Sequence, residues 1–515
     1  MKQIFKNKLI TFFSNPTIHI IFLILFSSII LFWRLNEGSL VNWDEATHAQ
    51  VAKGIVEEND WFALYPKGTT FYNFWFHKPP FNFWLMAIAY KLLGITTFAS
   101  RAVSALFAIG CIVVTYFLGK ELFNKKIGFI ASLILILSPQ FLHKSRMAML
   151  DVPTTFFILL SFLIFLLLKK NQTNYYYTLL GISLALGTLT KQIVGLFPLF
   201  IILIYILLTK EFYLIKNKKI FQTIFIFFLI ISPWYIAQLL INGLEFINQH
   251  IVNHVFIRAI EAKHSDYGNI FYFLVLLWGF YPWIIFLLPA LILVIYMAIK
   301  YKQKQSILLL TWFIVIFGIF LIGKTKFPWY LIPLYPVLAL FGAYFFTELN
   351  LDFKKYKIPV GIIFFLIFFI IYFHLPEPLY CNNELYNINL LSRDKDLFVH
   401  DSVKANGPGF VFYVGKNLTP TQDILKEFYS NKTLLFLMDK DYFSNNFRAL
   451  INDSYKSLYQ TCDHQDYYRV CNLILLTNDK NYFPDIKLSQ IPKRPSLNYC
   501  YPYMPESLYK YPFVY

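Results

Sequence analysis

The chain of 515 residues is 57% hydrophobic, 20% aromatic and only 15% charged, with a mean hydropathy of +0.52. A soluble domain carries about 25% charged residues, so this is the composition of a polytopic membrane protein; it excludes a cytosolic enzyme, a disordered hub and a nucleic-acid binder. The net charge of +17 lies wholly in residues 1–375, which hold 31 Lys/Arg against 14 Asp/Glu, whereas residues 376–515 hold 15 of each.

Apolar stretches long enough to cross a bilayer fall near 15–33, 97–118, 127–142, 152–168, 175–189, 193–209, 220–240, 270–298, 306–323, 328–347 and 358–375. The run Tyr281-Pro282-Trp283 leaves open whether 270–298 is one element or two. The first stretch has a basic flank and no small-residue cleavage site, which predicts a retained anchor rather than a signal peptide. Lysines gather in alternate short loops, at Lys2/6/8, Lys120/125/126, Lys169/170, Lys210/216/218/219, Lys300/302/304 and Lys354/355/357. The positive-inside rule therefore predicts a cytoplasmic N-terminus. The loops 34–96, 143–151, 241–269 and 324–327, and everything after 375, are then outside. The expected fold class is an α-helical polytopic membrane protein of about 11–13 spans, either parity-equivalent count giving the same sidedness.

Residues 376–515 form a different material: short β-type runs at Phe410–Val414, Thr433–Met438 and Tyr468–Leu476 alternate with polar, helix-compatible stretches such as Thr421–Tyr429. They predict a small extracytoplasmic α/β or α+β domain. Four of the five cysteines lie here, and an even count in an exported domain suggests two disulfides. Cys462–Cys471 closes a short loop and Cys381–Cys500 ties the domain ends, so this is the expected pairing of the three possible.

The residues that carry chemistry gather in the outside loops. Trp43-Asp44-Glu45 follows the first span, and adjacent acids there suit either a solvated helix N-terminus or a base. His77-Lys78-Pro79-Pro80 ends the same loop, with the lysine either an interfacial anchor or a directed cation. Arg146 and Asp151 lie at an outside edge as a structural or functional pair, since ionisable groups at membrane depth are functional candidates. Lys191 interrupts an apolar region at another outside turn. His250, His254 and Arg258 share one face of a helix at i, i+4, i+8 spacing, a pattern compatible with a metal or with surface histidines. Lys324-Thr325-Lys326-Phe327-Pro328-Trp329-Tyr330 is a basic turn entering a span.

In this order, Asp-Glu, Lys-Pro-Pro-Phe-x-Phe-Trp, Ser-Arg, Arg…Asp-Val-Pro, Leu-Thr-Lys, Ser-Pro-Trp-Tyr, His…Arg, Tyr-Pro-Trp and Lys-Phe-Pro-Trp-Tyr resemble one family over about residues 15–350. It is the bacterial glycosyltransferases related to protein O-mannosyltransferases and lipid A aminoarabinose transferase, of the glycosyltransferase C superfamily. The resemblance implies an inverting transfer of a sugar from a polyprenyl phosphate, undecaprenyl phosphate in an inner membrane. The acceptor would be a hydroxyl or phosphate of lipid A, core glycan or an exported protein, outside the cytoplasm. It implies Asp44 as base with Glu45 positioning base or acceptor. Lys78, Arg258 and Tyr330 would hold the lipid phosphate, with Lys191 and Lys326 as further members of that cluster. No cofactor is required on this reading, although a divalent metal is possible. His77 stands where the aminoarabinose relatives carry Glu, with His254 as its matching partner. Rival readings are a transporter or flippase, a polymerase or ligase of lipid-linked glycans, and an envelope scaffold. Inverted repeats and mid-span charges, expected of a transporter, are not evident in the sequence.

Overall fold

The computed structural model describes residues 15–37, 40, 44–64, 76–257, 260–261, 268 and 270–348, together with short segments between 397 and 478. The helices are α1 (Pro16–Phe32), α2 (Asp44–Glu58), α3 (Phe81–Leu93), α4 (Thr97–Leu122), α5 (Lys125–Ile136) and α6 (Pro139–Ser145). Then come α7 (Asp151–Lys170), α8 (Asn174–Lys191), α9 (Phe197–Thr209), α10 (Tyr213–Lys216), α11 (Ile220–Ile247), α12 (Phe271–Gly279), α13 (Leu287–Lys300), α14 (Lys304–Ile322) and α15 (Tyr335–Glu348). A π-helical segment, Asn248–Ile257, continues α11 beyond a kink at Gly243.

Among the described residues seven helical stretches are long and apolar enough to cross a membrane, and eight if α5 and α6, bent by 70°, count as one. The polytopic helical fold expected from composition is thus present. The stretch predicted at 270–298 is two elements, divided around a cis Tyr281–Pro282 bond. The stretch predicted at 358–375, the four cysteines of the C-terminal region and Arg258 lie outside the described residues.

Local sequence sets the helix starts. The Thr96 hydroxyl accepts from the Ala99 N–H, and Asn124 Oδ1 from the Lys126 and Ile127 N–H groups, satisfying donors that the first turn leaves open. The core is built by α4, α5, α7, α8, α14 and α15, whose inward side chains include Tyr116, Phe162, Trp312 and Leu338. The outer helices keep apolar side chains exposed, Phe225 and Phe228 on α11 among them; this is the surface that lipid covers.

Between α8 and α9 the chain reverses at Gln192, whose φ of 46° lies in the left-handed region. A Cβ on Gly195 would come within 2.1 Å of the Gly187 carbonyl carbon, so only glycine lets the two limbs approach this closely.

Beyond residue 396 the described strands are β1 (Leu397–His400), β2 (Leu418–Thr419), β3 (Leu435–Asp439), β4 (Lys456–Gln460) and β5 (Leu473–Thr477). They form one mixed sheet in the order β2-β1-β3-β5-β4. β1 pairs parallel with β2 and β3, whereas β5 pairs antiparallel with β3 and β4. Two of the predicted β-runs coincide with β3 and β5.

Candidate active site

The cleft is assembled from the starts and ends of helices. It is lined by Asp44, His48, His77, Lys78, Asp151 and Lys191, with Met149, Leu150, Phe327, Trp329 and Tyr330 as its apolar and aromatic walls. Five separate segments of sequence converge here, at one end of the membrane bundle.

α2 opens with the two acids, and its geometry sends them to different places. Asp44 is exposed and faces the cleft. Among the described residues it makes no hydrogen bond or ion pair, so its carboxylate is available to a substrate. Glu45, one residue on, is buried. Its oxygens accept from Arg101 Nε at 2.8 Å and Nη2 at 3.3 Å, and from the Ala148 N–H at 3.0 Å. Arg101 also donates to the Leu35 and Glu37 carbonyls. Glu45, one residue from Asp44 and expected to position base or acceptor, is thus engaged in tying α2 to α4 and to Ala148.

His48 lies one turn beyond Asp44 and also lines the cleft. Its Nδ1 is 2.9 Å from the Ala148 carbonyl oxygen, so Nδ1 carries the proton and Nε2 is left as an acceptor. Burial holds the imidazole below the ordinary histidine range, against the opposing pull of Asp44. The sequence analysis gave this residue no role, although its i+4 spacing from Asp44 was the available signal.

Asp151 begins α7 and Lys191 ends α8, and their side chains meet at 2.5 Å, both buried. This corrects one expectation. Asp151 does not pair with Arg146, whose guanidinium instead donates to the Ile30 and Leu31 carbonyls at 3.0 Å and holds the end of α1. Lys191, at its turn, is buried. Its ammonium also lies 5.4 Å from the centre of the Tyr330 ring, a favourable cation–π arrangement. Lys326 is not part of this cleft. It donates to the Leu321 and Gly323 carbonyls at 2.8 and 3.0 Å and so caps the C-terminal end of α14, where carbonyls are left open.

The segment carrying His77 and Lys78 is held from behind. His250 is buried and its Nδ1 lies 2.6 Å from the Phe76 carbonyl oxygen, while Nε2 faces the Tyr235 hydroxyl at 3.3 Å. Trp234 donates to the Phe62 carbonyl at 3.2 Å. The Ser232-Pro233-Trp234-Tyr235 run thus holds down both ends of the first loop. Expected as a surface histidine or metal ligand, His250 is a structural post. The wider turn of the π-segment separates it from His254, so the two do not act as an i, i+4 pair.

His254 instead lies ring against ring with His77, centroids 3.8 Å apart. Rings overlapped in this way present faces, not converging lone pairs, to one another. Among the described residues no group of three or more His, Cys, Asp and Glu side chains is placed to hold a metal ion. Among the described residues His77 and His254 are thus a ring pair without a third ligating side chain.

Comparison with known proteins follows the same lines as the geometry. The profile of the dolichyl-phosphate-mannose-protein mannosyltransferase family matches residues 21–247. An uncharacterized protein of Aquifex aeolicus is 30% identical over 340 residues, 65% of each chain. An undecaprenyl phosphate-alpha-4-amino-4-deoxy-L-arabinose arabinosyl transferase of Wigglesworthia glossinidia brevipalpis is 28% identical over 378 residues, 69% of this chain and 65% of that one. The chain thus aligns with less than two thirds of the length of these relatives. Among solved structures, ArnT from Cupriavidus metallidurans bound to undecaprenyl phosphate superposes with a TM-score of 0.66 at 15% identity, covering 90% of this chain and 98% of that one. The Archaeoglobus fulgidus oligosaccharyltransferase AglB, in complex with an inhibitory peptide and a dolichol-phosphate, reaches 0.53 at 13% identity, over 83% and 69%. In sequence this chain resembles the dolichyl-phosphate-mannose-protein mannosyltransferase family and the aminoarabinose transferases, and it shares its fold with the structure of ArnT.

Proposed function

We propose that the protein is an integral membrane glycosyltransferase that moves a sugar from a polyprenyl phosphate, undecaprenyl phosphate in a bacterial inner membrane, to an extracytoplasmic acceptor. The acceptor is a hydroxyl or phosphate of lipid A, core glycan or an exported protein. The observation that carries this reading is one cleft in which an open carboxylate, Asp44, shares its walls with the cations Lys78 and Lys191 and the phenol Tyr330. The named activities of the relatives support it.

In the proposed reaction Asp44 takes the proton of an acceptor hydroxyl as its oxygen attacks the anomeric carbon. The bond from that carbon to the phosphate oxygen breaks, and the sugar is transferred with inversion. The departing lipid phosphate keeps the bonding electrons, and the cations offset its growing charge. A positioned base contributes about 10²–10⁴-fold, and donors aimed at developing charge contribute at least as much. Lys78 supplies a point charge, Tyr330 a hydroxyl, and Arg258 a bidentate fork. Lys191 reaches the phosphate by exchanging or sharing its contact with Asp151. The active site and the domain after residue 375 lie on the extracytoplasmic side.

The test compares wild type with Asp44→Asn in the native host, by mass spectrometry of lipid A, core glycan and exported glycoproteins at matched membrane levels. Loss of one sugar from one acceptor is expected and names both substrates. Unchanged glycans beside an envelope defect in the full deletion would remove Asp44 as base and favour transport or scaffolding.

A further inference from the structure

At the opposite end of α7 and α8 from the catalytic cleft lies a second, larger cavity of about 420 Å³. Asp151 starts α7 at the cleft, whereas Phe165 and Leu168 near its other end line this cavity; on α8, Lys191 is at the cleft and Leu180 at the cavity. A helix of 20 residues is about 30 Å long, so the end of the cavity at Leu168 and Leu214 lies at the other membrane surface, while Leu196 and Leu199 carry its lining along α9 toward the cleft end.

The walls are almost wholly apolar, contributed by Leu184, Ile202, Ile206 and Phe227, with Leu214 and Ile215 of α10 at one end. The Thr223 hydroxyl is already satisfied by the Tyr177 carbonyl at 2.9 Å. Such a space offers water no partners, and an empty one forfeits contacts along its whole lining. Leu203, Ile224 and Phe228 on its edge are exposed, so it is open to hydrocarbon from the side.

The chain next to Leu214, Ile215 and Ile220 is basic: Lys210, Lys216 and Lys218 are exposed, and among the described residues none of them is in an ion pair. The nearest acid in sequence, Glu211, is consumed by Lys169 and Lys304 at 2.6 and 2.8 Å. An apolar slot ending in uncompensated lysines at a membrane surface matches a lipid with a hydrocarbon chain and an anionic head.

We propose that this groove is a binding site for one acyl chain of an anionic glycerophospholipid, with the lipid phosphate resting on Lys216 and Lys218. It rests on the membrane-spanning reading of the chain but is independent of the transfer chemistry.

The full chain is reconstituted in vesicles containing either phosphatidylglycerol or phosphatidylcholine with a photoactivatable group on one acyl chain. Crosslinked peptides are then mapped. Crosslinks should concentrate on residues 180–206 and 214–228 and favour phosphatidylglycerol. Lys216→Gln/Lys218→Gln, on exposed side chains, should lower that preference by roughly fivefold per lysine. Leu203→Trp, which fills the slot, should abolish the local crosslinks while sparing those elsewhere. Equal labelling by the two lipids, or labelling spread evenly around all outer helices, would overturn the proposal. So would displacement of the probe by polyprenyl phosphate, which would make the slot an extension of the donor site.

Discussion

Asp151 and Lys191 bring two buried charges to the wall of the cleft, and the pair joins the start of one spanning helix to the end of the next. Removing one partner leaves the other charged and unpaired, at a cost of about 3–5 kcal/mol. Lys191→Met should therefore lower the unfolding temperature of the purified protein markedly. Asp151→Asn combined with Lys191→Met should recover most of that loss while leaving transfer impaired. A double variant no more stable than the single one would show that the pair does not hold the two helices. Asp44 and Glu45 were legible in the sequence as a candidate pair, but the division between them was not, for a geometrical reason. Successive side chains point about 100° apart around a helix, so one carboxylate faces the cleft and the next faces Arg101. That partner lies 56 residues away in sequence, and no local pattern announces it.

The α8–α9 hairpin is the element that delivers Lys191. Its tightness rests on Gly195, where a Cβ would come within 2.1 Å of the Gly187 carbonyl carbon, and less on Gly187, where a Cβ meets its nearest atoms at 3.2 Å. Gly195→Ala should force the limbs apart, reduce the amount of folded protein and move Lys191 away from Asp151. Gly318→Ala is the matched control, because a Cβ there meets nothing within 4 Å. Comparing the two by thermal unfolding and by transfer assay isolates the hairpin from any general cost of adding a methyl group. Apolar length and loop charge made the reversal near Gln192 readable in the sequence. The π-segment was not readable, because the periodicity of a ten-residue stretch does not distinguish a π-helix from an α-helix. As a result His250 and His254 were read onto one face when the chain sends them to different partners.

For the whole molecule, the proposed sidedness follows from loops whose lysines outnumber their acids. Alkaline phosphatase fused after Asn59, in the loop carrying the cleft, should be active in cells. The same fusion after Asn171, between α7 and α8, should be inactive. The reverse pattern would turn the molecule over and place the cleft in the cytoplasm. Helical polytopic architecture was evident from hydropathy alone, since spans of this length have few alternatives. Assembly of the cleft was not, because its lining comes from segments almost 300 residues apart and depends on which helix ends meet.

α7 has a further consequence as a strut. It is pinned by ion pairs at both ends, to Lys191 beside the cleft and through Lys169 to Glu211 and Lys304 at the far surface. The protein therefore carries an internal gauge of bilayer thickness. A membrane thinner than the strut must tilt it or yield around it, and either response changes the height at which the cleft meets the headgroup layer. Chain length in the surrounding lipids thereby becomes a setting for how readily the lipid-linked donor proposed above reaches the lysines.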